Sequence, residues 1–116
     1  MTLCLVRKLD EADHEQLLGI NAGSRPAVAP LDDRELSRLL GLGGFHLVGV
    51  VDDQVLGYLL SFPNDAEYDG EEFRCFQRIV PEPFFYIDQI AVRAEHHRRG
   101  VARQLYHFPL TNGNMS

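Results

Sequence analysis

Tryptophan is missing from the 116 residues, and no apolar stretch approaches the ~20 residues that a membrane-spanning helix needs. The opening MTLCLVRKLDEADHE turns charged by Arg7, too early for the apolar centre of a signal peptide. Cysteine is scarce. Cys4 and Cys75 lack the paired spacing of a metal or redox motif, and with no export signal they read as reduced structural residues of a cytoplasmic protein. Positive charge is also short: 11 Lys and Arg stand against 17 Asp and Glu, a formal net charge of -6. That balance argues against a general nucleic-acid binder, which carries a basic excess. Repeats and low-complexity tracts are absent too. What remains is a globular composition, 45% hydrophobic and 24% charged, at a length suited to a single domain over 1–116.

The chain divides readily into elements. LCLVRKL (3–9) alternates and reads as a strand. DEADHEQLLGINAG follows as a helix near 10–22, with Asp10 as its N-cap. SRPAVAP breaks the pattern, a loop of the kind that often lines a site. LDDRELSRLLGLGG reads as a helix near 32–41, capped by Asp32 or Asp33 and ended by glycines. FHLVGVV, the turn DDQ and VLGYLLSF make a hairpin over 45–62, in which Gly49 and Gly57 mark bulges or close backbone approach. An acidic excursion runs from Pro63 to Pro83. After it, FFYIDQIAV (84–92) is apolar on both faces, the pattern of a central strand, interrupted by Asp88 and Gln89. A last helix is expected over 99–107, and the breaker-rich residues 107–116 read as an irregular tail. The fold class is α/β, a mainly antiparallel sheet flanked by helices.

One joint concentrates charge of the scarce sign. AVRAEHHRRGVARQLY (91–106) gathers arginines and histidines around Gly100, where a strand passes through a turn into a helix. Such a joint suits an anion. The first N–H groups of a helix lack intrahelical partners, the helix dipole adds partial positive charge, and a residue without Cβ admits a close approach. Arg98, Arg99 and Arg103 would add charge-assisted contacts, while Ala102 keeps the turn slim. A solvated helix start with a turn glycine satisfies the spacing equally. Adjacent His96 and His97 lack metal-ligand spacing, so no metal site is expected.

IDQIAVRAEHHRRGVARQLY resembles the acyl-CoA-binding segment of the GNAT superfamily of N-acetyltransferases. The family's signature is Arg or Gln, two residues, Gly, one residue, then Gly or Ala. It falls here on His97-Arg98-Arg99-Gly100-Val101-Ala102, with His97 departing from the usual lead residue. The resemblance spans roughly Leu3 to Tyr106 and implies the acyl-CoA N-acyltransferase fold. It also implies acetyl transfer from acetyl-CoA to a primary amine, on a small molecule or a peptide, with no nucleic acid or membrane as partner. Ile90, Ala91 and Val92 would run beside the pantetheine arm, with Ile90 and Val92 pairing to it through their backbone. The N–H groups from Arg98 to Ala102, with Arg103, would hold the pyrophosphate.

Direct transfer needs a base for the amine and an acid for the leaving thiolate. Asp88 is the candidate base, directly or through a water it holds. Its other reading is a hydrogen-bond acceptor at a strand bulge. Tyr86 is read as packing, and Gln89 as pointing away from that face. Tyr106 lies in the cofactor helix rather than at the family's acid position, so no acid is assigned. Family members continue beyond this point, so the sequence reads as a truncated member, with a non-catalytic acyl-CoA-binding or regulatory module as the alternative. The unpaired edge of 84–92 is then expected to recruit a second copy. The acidic excursion reads either as a lure for a cationic amine or as a solvated loop.

Overall fold

A computed structural model describes residues 1–63, 74–75, 78–79 and 85–112. Strands β1 (Leu5–Lys8), β2 (His46–Val51), β3 (Gln54–Pro63) and β4 (Phe85–Val92) form one sheet in the order β1-β2-β3-β4, each antiparallel to its neighbour. Helices α1 (His14–Gly23) and α2 (Asp33–Leu40) link β1 to β2, and α3 (Val101–Asn112) follows β4. The expected order of elements and the α/β class hold.

Local chemistry accounts for the turns. Asp52 and Asp53 join β2 to β3 with φ of 49° and 66°, the left-handed pair that a two-residue hairpin requires and that Asp tolerates better than most residues. Asp32 caps α2, its side chain accepting from the Glu35 N–H at 2.7 Å. Asp10 does not open α1 directly, because a 3-10 turn at Glu11–Asp13 intervenes. There Asp13 receives Arg7 through both carboxylate oxygens, at 2.7 and 2.8 Å, and the Asp10 N–H at 2.8 Å. Arg7 holds the Asp13 carboxyl below its ordinary range, mainly by this hydrogen bonding.

The sheet is covered on both faces. Leu17 and Ile20 of α1 and Leu36 and Leu39 of α2 pack on Val48, Tyr58, Leu60 and Phe62. Val101 and Leu105 of α3 pack on Leu47, Leu56, Leu59 and Val92. α3 lies close because glycines open the way. A Cβ on Gly57 would sit 2.9 Å from the Ala91 carbonyl and 3.2 Å from Val101 Cγ1, and one on Gly49 would meet Cys4 Sγ at 3.0 Å. Both glycines flank a bulge between β2 and β3, as their placement inside strands suggested.

Three expectations need correction. The apolar pattern of 84–92 pointed to a central strand; β4 is instead an edge strand of the described sheet, in keeping with the unpaired edge also expected for it, and β2 and β3 are central. It reads as apolar on both faces because helices cover both faces even at the edge. The α3 helix continues to Asn112, so an irregular tail does not begin at 107. Pro109 removes one intrahelical bond, but its fixed φ is itself helical. Strict alternation put Gln89 on the opposite face from Tyr86. A second bulge, at which Leu60 pairs with Gln89 and Ser61 with Ile87, takes up Asp88 as an extra residue. Tyr86, Gln89 and Ala91 therefore all turn toward α1 and α2. Asp65, Glu67, Asp69, Glu71 and Glu72 of the acidic excursion lie outside the described residues.

Candidate cofactor-binding cleft

The edge of β4 left unpaired among the described residues forms the floor of a cleft of about 750 Å³. From one face of the sheet, Ser24, Ala27 and Val28 of the loop after α1 make one wall. From the other, residues 96–100 and the first turn of α3 make the second. Ile90, Ala91, Val92, His97, Arg98, Arg99, Gly100, Val101, Ala102 and Arg103 all line it. The residues singled out at this joint thus meet in one place. Asp88 is not among the lining residues; it sits half-buried at the bulge, two residues before the floor begins.

The floor is made of backbone. The Arg93 N–H points into the sheet, onto the Leu56 carbonyl at 2.7 Å, and the Ala91 carbonyl faces Gly57. Successive peptides of a strand point in opposite directions, so the N–H and C=O groups of Ile90 and Val92 face the open edge. His97 already meets one of them. Its Nε2 lies 2.8 Å from the Val92 carbonyl and must donate, since a carbonyl only accepts. This bond folds the loop over the end of the strand, and the oxygen keeps a second lone pair.

The wall at α3 is polar through its main chain. Arg98 and Gly100 take φ of 63° and 84°, and a non-glycine residue held at positive φ costs about 1–2 kcal/mol. The first bond of the helical ladder runs from the Gln104 N–H to the Gly100 carbonyl at 3.1 Å, so the amides of Val101, Ala102 and Arg103 stand ahead of it. Arg98, Arg99 and Arg103 are exposed around these amides. Arg93 leaves the cluster: its Nε donates to the Val55 carbonyl at 2.7 Å and its Nη2 to Gln16 Oε1 at 3.1 Å. Sequence spacing counts its charge with the others, but the fold spends it on joining β3 to α1.

Met1, which no local pattern marks, also lines the cleft and occupies the space beside Gly100 where a Cβ would point. The Thr2 N–H donates to the Arg99 carbonyl at 2.7 Å, and Gln104 Oε1 accepts from the Cys4 N–H at 3.0 Å. The Cys4 thiol donates to the same oxygen at 3.4 Å, and burial pushes its pKa up, which suits an anchor rather than a nucleophile. The interrupted loop SRPAVAP, expected to line a site, does so through Ser24, Ala27 and Val28. Among the described residues, no three His, Cys, Asp or Glu side chains gather as a metal site, and no helix is long and apolar enough to cross a membrane.

Residues 9–108 match the model of the acetyltransferase (GNAT) family. The chain belongs to that family. No protein of curated function matches it in sequence. Solved structures share its fold. A GNAT family acetyltransferase from Brucella melitensis, in complex with acetyl-CoA, aligns over 93% of this chain at 18% identity with a TM-score of 0.62. Arabidopsis thaliana Naa50, in complex with the bisubstrate analogue CoA-Ac-MVNAL, aligns over 96% at 15% identity and 0.64. A transcriptional regulator from Bacillus halodurans C-125 aligns over 95% at 14% identity and 0.66. This GNAT chain spans 66%, 64% and 73% of those proteins, respectively.

Proposed function

We propose that the cleft binds acetyl-CoA and that the chain takes part in acetyl transfer to a primary amine of a small molecule or peptide. The observation that carries this reading is the convergence of an open strand edge, a positive-φ loop and a helix start on one groove. Each offers main-chain groups to one part of such a ligand. The edge groups of Ile90 and Val92 suit an extended amide-bearing arm. The amides from Arg98 to Ala102, with Arg103 beside them, suit a diphosphate. Gly100 supplies the positive φ of this loop, and a Cβ there would crowd Met1 at 3.2 Å. Bound there, acetyl-CoA supplies an activated thioester.

For the amine, the chain must remove a proton. Asp88 is the proposed base, acting through water, because it sits at a bulge beside the floor, and bulges re-aim side chains next to active sites. Acyl-CoA binding without transfer is the second reading, and Asp88's place outside the cleft lining favours it. Calorimetric titration with acetyl-CoA and a thiol-release assay over an amine panel separate the two. Asp88→Asn is expected to lower transfer by ~10²–10⁴-fold while leaving acetyl-CoA affinity within a few-fold. Binding without release of thiol in the unaltered protein would favour the second reading, and absence of binding would sink both.

A further inference from the structure

Gln89 interrupts an apolar strand, and the bulge turns it under the loop that follows α1. Its Nε2 donates to the Ala29 carbonyl at 3.1 Å, and its Oε1 accepts from the Tyr58 hydroxyl at 2.8 Å and from Asn21 Nδ2 at 3.2 Å. Asn21 Nδ2 also donates to the Ala29 carbonyl at 2.8 Å, and Asn21 Oδ1 accepts from the Leu31 N–H at 2.9 Å. Asn21 and Tyr58 are 0% exposed and Gln89 is 5% exposed, so these bonds are made away from water. Burial pushes the Tyr58 phenol up, so its hydroxyl keeps the proton it donates.

The network grips the loop only by its main chain, at 29 and 31. Immediately before the grip, Ala27 and Val28 form a wall of the cleft. Immediately after Gln89, Ile90 begins the floor. One buried amide therefore couples wall to floor. Apolar packing alone lets a loop slide, whereas hydrogen bonds near 3 Å hold both distance and direction. A buried amide that lost its partners would also be strongly disfavoured, so the alternative loop positions are closed off.

We propose that Gln89, braced by Asn21 and Tyr58, is a positioning residue that holds the 24–31 loop as a fixed wall over the β4 edge and so sets the size of the group the cleft accepts. The nature of that group, an acyl-CoA, rests on the function proposed above; the tethering does not. Gln89→Met keeps the volume and removes every polar contact, and Tyr58→Phe removes one hydroxyl if the first variant does not fold.

Amide hydrogen exchange on the full chain without ligand reads the tether. Gln89→Met is expected to raise exchange across 27–31 about tenfold, with α2 and β2 unchanged, and Tyr58→Phe to act the same way more weakly. Unchanged exchange at 27–31, or an equal rise in every element, overturns the proposal. Titration with acetyl-CoA and butyryl-CoA reads the wall: the preference between them should narrow in Gln89→Met, whereas equal weakening of both overturns a role in size selection. If the unaltered protein binds neither while the loop loosens as expected, the acyl-CoA reading fails and the tether stands.

Discussion

Under α3 the sheet offers Leu47, Leu56, Leu59 and Val92, and the helix answers with Val101 and Leu105, aliphatic side chains that make no hydrogen bonds. Under α1 and α2 the leucines and valines are interleaved with Asn21, Tyr58 and Gln89, and the rim is clamped by Arg7 on Asp13. The first face supplies adhesion and leaves registration to the helix start, where Gln104 ties α3 to Cys4. The second face supplies registration itself. The cleft needs both, since one wall stands on each face. Adhesion can be had from many apolar combinations, but a wall that must not move needs bonds that fix angle as well as contact.

The widest expected effect tests the adhesive face. Leu105→Ala leaves a cavity between α3 and β3 and should lower stability by about 3 kcal/mol, read as the midpoint shift in urea unfolding. A loss under about 1 kcal/mol would mean that α3 is held chiefly at its start.

Gly100→Asp touches neither face and should separate the cleft from its scaffold. It brings a carboxylate and a strained positive φ to the helix start. Acetyl-CoA affinity should fall at least about a hundredfold, with Gly100→Ala falling less because it carries the strain without the charge. Equal losses in the two variants would assign the effect to backbone strain alone.

The smallest effect sharpens the contrast through pH. Because Arg7 holds the folded Asp13 carboxyl below its ordinary range, its stabilisation is complete above that range and drains as pH falls through the depressed value. Asp13→Asn should lower stability by about 1–2 kcal/mol near neutral pH and flatten the decline below about pH 4. Unfolding by urea from pH 3 to 7 follows both. An unchanged acid limb would move the acid sensitivity elsewhere.

Periodicity and turn chemistry made most elements legible, since the alternation of LCLVRKL, the DDQ turn and the glycines after Leu40 all mark their own boundaries. The cleft was legible for a different reason: a strand, a glycine turn and a helix start are contiguous, so the residues that meet there are neighbours in the chain. What stayed hidden depends on contacts between distant segments. The bulge at Asp88 comes from how β3 and β4 register, and it reverses the face that alternation assigns to Gln89. Arg93 shares a sequence neighbourhood with Arg98 and Arg99, yet its partners are Val55 and Gln16. The Met1 contact with Gly100 had no local signal either.

The tie between Gln104 and the first residues bears on how the molecule assembles. Gln104 Nε2 donates to the Thr2 carbonyl across 102 positions of sequence, and its Oε1 receives Cys4 across 100. Contacts of such separation close nearly the whole chain into a loop, and their entropy must be met before they give anything back. During synthesis β1 can pair with β2 once residue 51 has emerged, whereas the bonds of Thr2 and Cys4 to Gln104 must wait for α3. The loop of residues 97–100 is thus among the last of the described parts to take shape, and the hairpin of β2 and β3, joined by two residues, among the first.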